Sequence, residues 1–316
     1  MARYIGRRLL LMVPTLVLVS ILVFALSEVL PGDIGRVILG PYASQSAVTQ
    51  LDHKLGMDKP IYVRYVEWAG HFLTGHLGYS YQYTNETVAS IVWHALGNSL
   101  LLGGLALVII VPTSILVGVV AGLRRDSLLD RAITIFSLSM TAMPEFVTGI
   151  VLVVIFSVML GWLPSYSMPQ TQVGFLDRLH YLILPAIPLM LVELGYVARM
   201  ARAGTATELE RPYIRTATLK GLPRRRVVFA HVLRNAMVPT VTVIGSQIGW
   251  LIGGLVVVET LFSYNGIGNY TVHAALNHDQ PLLEACVLVI AVVYMVANLV
   301  ADVVVAMLNP RIRKTV

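Results

Sequence analysis

Six long apolar stretches constrain the fold of this 316-residue chain more than any other feature. A helix needs about 20 apolar residues to cross a hydrocarbon core of about 30 Å. Stretches that meet or approach this length cover residues 9–27, 95–123, 132–160, 179–198, 235–258 and 285–308. With 56% apolar and 13% charged residues, a soluble protein would need several oversized helices without a polar face. The sequence therefore predicts an all-α, polytopic membrane protein with six transmembrane helices.

The positions of the basic residues predict the topology. With the amino terminus placed in the cytoplasm, 18 of the 23 lysines and arginines fall on the cytoplasmic side. This bias follows the positive-inside rule for a chain with both termini in the cytoplasm. It also explains the net charge of +6 without a nucleic-acid partner. We therefore predict a multi-pass protein of the cell inner membrane, in contact with lipid. A cleaved signal peptide at residues 1–28 is disfavoured, because the apolar run is long and no cleavage consensus follows it.

The chain divides into four segments by composition. The first span occupies residues 1–28, and a polar external subdomain follows at 29–94. The remaining spans lie within residues 95–308, at about 95–123, 132–160, 179–200, 235–258 and 285–308, with a cytoplasmic loop at 201–236 and a tail at 309–316. In the external subdomain, a helix following Pro60 should carry one apolar stripe on the membrane surface or on a partner. The stripe consists of Tyr62, Tyr65, Val66, Ala69, Phe72 and Leu73.

Prolines and acids within the spans indicate a transport pathway. Pro144 should kink the third span, and Pro185 with Pro188 should make the outer end of the fourth irregular. Such irregularities at membrane depth line cavities or are covered by protein. A carboxylate at mid-bilayer costs at least about 2.5 kcal/mol, so Glu145, directly after Pro144, and Glu193 are candidate pathway residues.

Two of the three acids within spans, Glu193 and Asp302, also have a structural interpretation. Glu193 could instead form a hydrogen bond between helices. Asp302, the third acid within a span, lies near Arg311 and Arg313 in the sequence, which favours a local ion pair.

The basic segment 199–234 is patterned for two short helices. The first covers residues 212–220 and stops at Gly221 and Pro223, and the second, 224–234, leads into the fifth span. The arginines at 224–226 could meet a partner, obey the positive-inside rule or touch anionic lipid.

The sequence lacks the patterns of common catalytic and metal sites. It contains no Gly-x-x-x-x-Gly-Lys-Ser/Thr, His-Glu-x-x-His, Cys-x-x-Cys or Gly-x-Ser-x-Gly pattern. Cys286, the single cysteine, lies in an apolar run. We therefore expect no catalytic residue, cofactor site or metal site in this chain.

Two stretches of the cytoplasmic segment resemble a known family. The first is Tyr213-Ile214-Arg215-Thr216-Ala217 with Lys220-Gly221-Leu222-Pro223, and the second runs from His231 to Pro239. Together they resemble the EAA loop of the permease subunits of dipeptide, oligopeptide and nickel ABC importers, which have the type I fold. Further similarities occur at residues 30–33, 55–60, 258–262, 266–268 and 309–313. Departures from the family, including Arg215-Thr216-Ala217, Ser263-Tyr264-Asn265 and Pro144-Glu145, bear on the identity of the cargo.

The resemblance implies a function and a set of partners. The EAA loop would dock into a cytoplasmic ATPase subunit through Tyr213, Arg215, Thr216, Ala217, Lys220, Gly221, Leu222 and Pro223. The complex would contain a homologous second permease, two ATPase subunits that hold ATP and Mg²⁺, and an extracytoplasmic binding protein. It would import dipeptides or oligopeptides by alternating access, or else a nickel chelate or haem.

Two other classes of function compete with this interpretation. An ion-coupled secondary transporter would use Glu145 and Glu193 to carry protons or sodium, but no internal repeat is detectable. A membrane-bound enzyme has less support, since no nucleophile and base can be paired. Transport by the purified chain alone would favour the secondary transporter.

Overall fold

The computed structural model describes residues 2–29, 34–40, 42–54, 56–83, 86–168 and 174–308. Its α-helices are α1 Ala2–Val29, α2 Ile34–Leu39, α3 Gln45–Lys54, α4 Ile61–Leu73, α5 Val88–Leu123, α6 Leu128–Ala142, α7 Glu145–Leu152, α8 Phe175–Leu209, α9 Pro212–Leu219, α10 Arg224–Arg226, α11 Leu233–Leu261, α12 Ile267–Leu276 and α13 Gln280–Leu308. Two π-helical segments, Val153–Met159 and Val227–Val232, continue α7 and α10. Within these described ranges, β-pairing is limited to an isolated bridge between Tyr79 and Thr87. The predicted all-α class is confirmed.

Five helical segments are long and apolar enough to cross a membrane. They are Ile5–Glu28, Val88–Leu123, Phe175–Leu209, Arg224–Leu261 and Gln280–Met307. A sixth crossing requires the bent pair Leu128–Ala142 and Glu145–Met159 to act as one span. The third predicted span therefore differs from the expected single helix, because two helices at an angle occupy it.

The predicted kink at Pro144 is a complete break in the helix. The two halves of the pair are bent by 105°. Met143 and Pro144 have extended backbone, with ψ of 127° and 144°. Proline has no N–H to donate and disfavours helical geometry at the residue before it, so α6 ends and α7 starts afresh at Glu145.

The predicted irregularity in the fourth span is wrong. Helix α8 continues through both Pro185 and Pro188, which are buried. Proline is tolerated within membrane helices when neighbouring helices compensate for the lost hydrogen bonds. Because α8 reaches Leu209 and the next long helix begins at Arg224, the loop predicted at 201–236 is confined to residues 210–223 and contains α9.

The chain forms two compact units. One, the core unit, contains the start of α1 up to Ile5, residues 101–263 and the end of α13, and the other, the N-terminal unit, contains residues 6–100 and 264–295. In the core unit, α8 packs against α6, α7 and α11. Glycines allow the closest approaches: a Cβ at Gly195 would lie 2.5 Å from the Ser137 carbonyl oxygen, and one at Gly204 2.5 Å from that of Ala236. Small residues at helix contacts are typical of membrane proteins, because they let backbones pack directly.

In the N-terminal unit, α5, α12 and α13 share a hydrophobic cluster. Its buried members are Val88, Ile91, Val92, Ala95, Ile267, Ala274, Leu282, Ala285 and Cys286. Asp279 accepts hydrogen bonds from the Leu282 N–H, which caps α13, and from the Ser80 hydroxyl. The buried carboxylate therefore joins the loop before α5 to the start of α13.

The apolar stripe predicted for α4 is divided between two faces. Tyr65 and Phe72 take part in a row of aromatic contacts with Phe24 and Trp68. Tyr62, Val66 and Leu73 are exposed. The similarities noted at residues 30–33 and 309–313 lie outside the described residues, as do Arg311 and Arg313, the predicted partners of Asp302.

Replacement of Gly195 by alanine should destabilise the core unit. Overpacking a close contact typically costs about 1–3 kcal/mol. Gly253→Ala is the matched control, because a Cβ there meets nothing within 4 Å. Thermal unfolding of the purified chain in detergent should show a lower midpoint for Gly195→Ala only. Equal midpoints for the two variants would mean that α8 does not depend on this contact.

Candidate functional site: a loop at the end of α8 and acids near the helix break

One face of α9 is buried against neighbouring helices. Ile214 and Ala217 on α9 form a hydrophobic cluster with three residues of the helix that follows, Val227, Val232 and Ala236. Leu222 packs on the same cluster. The sequence favours this arrangement, because Pro212 starts the helix at its first turn, and positions 214 and 217 lie on one face. Helix α9 is therefore held rigidly on the start of the Arg224–Leu261 helix.

The chain leaves α9 through a left-handed residue. Gly221 has φ of +77°, and no atom lies within 4 Å of where a Cβ would be. Glycine is therefore favoured at position 221 by the backbone conformation and not by lack of space. The Gly221 N–H donates to the Thr218 carbonyl at 3.0 Å and the Leu222 N–H to that of Ala217 at 3.4 Å. These bonds satisfy carbonyl groups at the helix end. Pro223 then caps α10.

The opposite face of α9 is open. Arg215, Thr216, Leu219 and Lys220 are exposed, and the Leu219 side chain is 80% exposed. The structure thus separates the eight residues predicted for the coupling loop into three sets. Ala217 and Leu222 pack inward, Gly221 and Pro223 shape the chain, and the others present side chains outward.

Polar contacts tie α9 to the long helices on either side of it. The Tyr213 hydroxyl donates to the Glu208 carboxylate, at the end of α8, and accepts from Asn235 Nδ2 at 2.8 Å. Burial, with the Glu208 carboxylate adding to it, raises the pKa of Tyr213. Arg125, in the α5–α6 turn, pairs with Glu210. A movement of α9 would therefore displace both α8 and α11.

A partly buried ion pair joins α6 to α8 near the same end. Arg202 donates to both carboxylate oxygens of Asp130, with Nη2 to Oδ2 at 2.7 Å, and the Asp130 side chain is 2% exposed. The Asp126 N–H also donates to Asp130 Oδ2, at 3.0 Å. Sequence reasoning missed this pair because the partners are 72 residues apart. The one indication in the sequence was that Asp130 and Arg202, an acid and a base, lie at the ends of two different apolar segments.

The structure brings together the two predicted pathway acids. Glu145 and Glu193 lie close enough for their charges to interact, and the Gln247 side chain of α11 adjoins Glu193. Glu193 is buried, while Glu145 is partly exposed and lies in the first turn of α7. The positive end of the α7 dipole favours a negative charge there. Glu145 Oε1 also approaches Gly254 of α11, at 3.3 Å from a Cβ position.

Pro144 contributes to this cluster by ending α6, which sets Glu145 at a helix start. Sequence reasoning missed Gln247, whose amide nitrogen is buried. It also missed Glu259, a fully buried acid further along α11. Across the described residues, no three His, Cys, Asp or Glu side chains are grouped as a metal site.

Family models match most of the chain. The model described as "Binding-protein-dependent transport system inner membrane component" matches residues 114–314. Its N-terminal counterpart matches residues 1–100. The chain therefore belongs to the family of binding-protein-dependent transport system inner-membrane components.

Individual relatives match over almost their full length. The chain is 38% identical to the di/tripeptide transport system permease protein DppB of Pseudomonas aeruginosa, with 99% of each chain covered. It is 37% identical to the oligopeptide transport system permease protein AppB of Bacillus subtilis, again over 99% of each. It is 35% identical to the glutathione transport system permease protein GsiC of Escherichia coli strain K12, with the same coverage.

Asp130→Asn should destabilise the protein. The Arg202 side chain is 30% exposed, so water can solvate the charge that the substitution leaves unpaired, and the expected cost is that of losing hydrogen bonds to a charged group, about 1.5–3 kcal/mol. Asp126→Asn is the control, since the Asp126 side chain is 80% exposed and asparagine tolerates its φ of 63°. Thermal unfolding of the purified chain should separate the two. Indistinguishable unfolding midpoints would contradict a structural role for the pair.

Proposed function

We propose that this chain is one of two membrane subunits of an ABC importer that moves short peptides into the cytoplasm. Relatives that match the whole chain are permeases named for dipeptides, tripeptides, oligopeptides and glutathione. The sequence carries no P-loop, so ATP and Mg²⁺ belong to two cytoplasmic ATPase subunits. An extracytoplasmic binding protein delivers the peptide, and a homologous permease completes the pathway.

The open face of α9 is the observation that carries the proposal. A short helix with an exposed leucine beside Arg215 and Lys220 suits insertion into a cleft with an apolar floor and an acidic rim. Its other face is fixed to the Arg224–Leu261 helix, so a push on α9 is transferred to a membrane span. The chain itself performs no chemical step and converts motion of the ATPase subunits into motion of its helices.

A polar group beside the helix break supports a transport pathway at this position. Glu145, Glu193 and Gln247 come from α7, α8 and α11, and Pro144 gives α7 its own direction. We assign Glu145 to the pathway, where its carboxylate can attract the amino-terminal ammonium group of a peptide. An ion-coupled carrier would also use such acids, but the named relatives favour the ATP-driven class.

Leu219→Gln should weaken binding of the ATPase subunits. Burying a leucine side chain is worth about 1.5–3 kcal/mol, and 1.4 kcal/mol is about tenfold in affinity, so at least a tenfold loss is expected. Leu128→Gln is the control, because Leu128 is 84% exposed at the start of α6. Titration of purified ATPase subunits onto the chain in nanodiscs measures both. Equal affinities for the two variants would exclude α9 as the contact.

Glu145→Gln should lower peptide uptake about tenfold or more while leaving ATPase binding intact. The loss follows from removing the charge that attracts the ammonium group, and Glu145→Asp should retain more activity. Uptake into proteoliposomes containing the whole complex is the measurement, with an amino-acetylated peptide for comparison. Unchanged uptake of the free-amino peptide would remove Glu145 from the pathway.

A further inference from the structure

Polar and aromatic contacts fix α4 to the final turns of α1. The Tyr65 hydroxyl lies 2.8 Å from the Ser20 hydroxyl. The Phe24 ring contacts Tyr65 and Trp68, with centroid distances of 5.5 and 5.4 Å. Arg64 donates to Glu28 at 2.7 Å. Positions 20, 24 and 28 form one stripe of α1, so the contacts extend along about 12 Å of its final turns.

These contacts set the depth of α4 relative to the membrane. The apolar part of α1 ends at Leu26, shortly before Glu28. Ser20 lies about 9 Å further into the span, at about 1.5 Å per residue. The polar interface of a bilayer is only about 5–8 Å thick on each side of the hydrocarbon. An aromatic ring that reaches Ser20 must therefore enter the membrane, and α4 cannot stand out in water.

The side chains of α4 fall into three sectors at about 100° per residue. Tyr65, Trp68 and Phe72 form the sector that faces α1. About 100° to one side lies a polar sector of Arg64, Glu67 and His71, and these residues line a cavity of about 300 Å³ within the N-terminal unit.

The third sector is apolar and exposed. It lies about 100° to the other side of the aromatic sector and contains Tyr62, Val66 and Leu73, which are 69%, 67% and 86% exposed. These three residues are here named the α4 apolar stripe. Helix α4 is thus amphipathic, with a polar flank and an apolar flank. The aromatic face between the two flanks is fixed to α1, a membrane span.

We propose that the α4 apolar stripe is immersed in the edge of the lipid bilayer, at the membrane face where α1 ends. At the depth set by Ser20 and Glu28, the exposed side chains of α1 itself are Ile21, Leu22 and Leu26. Exposed apolar side chains on a membrane span face lipid, so lipid surrounds α1 at the same depth as α4. A tyrosine with aliphatic neighbours suits the boundary between headgroups and hydrocarbon.

The proposal changes the role expected of the subdomain after α1. A helix held in the interface fixes the height of the cavity beside it and lets the polar sector face water. The inference rests on the contacts of α1 and α4 and is independent of the proposed transport function.

Site-directed spin labelling of the full chain in nanodiscs tests the proposal. In a Cys286→Ala background, the label is placed by Val66→Cys, with Glu67→Cys on the polar flank as the matched control. Collisions with oxygen, which partitions into lipid, and with a water-soluble nickel chelate are measured at both sites. We expect the oxygen-to-nickel accessibility ratio at position 66 to exceed that at position 67 at least fivefold.

Two outcomes would overturn the proposal. Equal nickel accessibility at the two positions would place the stripe in water. Low accessibility of position 66 to both reagents would mean that protein, such as a second copy or a partner subunit, covers it. Leu73→Cys repeats the measurement if Val66→Cys perturbs the fold, and the same result is expected because both residues belong to the stripe.

Discussion

The direct packing of α8 on its neighbours is the constraint on which the core unit depends. Helix α8 meets α6 at Gly195, α11 at Gly204 and α5 at Gly118, and an added Cβ at Gly118 would lie 2.7 Å from that of Ala201. Within a bilayer, apolar burial gives little preference for one helix contact over another, so close van der Waals packing must supply the specificity. The small residues therefore decide which helices touch and at what height.

The proposed coupling role of the loop at the end of α8 depends on this packing. Helix α8 packs against α5, α6 and α11 and continues to Leu209. At its end, Glu208 accepts a hydrogen bond from Tyr213, and Glu210 in the following turn pairs with Arg125. The Asp130–Arg202 pair adds a charged link to α6 close by. A force on α9 would consequently reach several spans together. Glu145, Glu193 and Gln247, near the Pro144 break, lie on three of the elements that such a movement would shift, α7, α8 and α11.

Composition was sufficient to predict most of the fold, because bilayer thickness imposes both the length and the polarity of a span. The effects of proline were harder to predict. Pro144 interrupts its helix completely, whereas Pro185 and Pro188 do not, and the difference depends on packing around each site rather than on the residue itself. The aromatic residues of α4 were assigned to one stripe because periodicity cannot distinguish a face that packs on α1 from one that remains exposed.

The candidate site was predicted in part for similar reasons. The loop residues 213–223 follow a local pattern, so their helix, stop and turn could be read from neighbours in sequence. Glu145 and Glu193 stand out because charge is rare in apolar runs. Asp130 with Arg202, and Gln247 beside Glu193, depend on contacts between distant segments. A single sequence gives no information on such pairings.

The central claim is that α9 transmits the motion of ATPase subunits, and Gly221 tests it most directly. Valine at this position cannot readily adopt the left-handed backbone, whereas asparagine can, and neither side chain meets a neighbour at its Cβ. Peptide-stimulated ATP hydrolysis by the assembled complex in proteoliposomes should be lost with Gly221→Val and largely retained with Gly221→Asn. Full stimulation with the valine variant, in a complex of normal composition, would contradict the account.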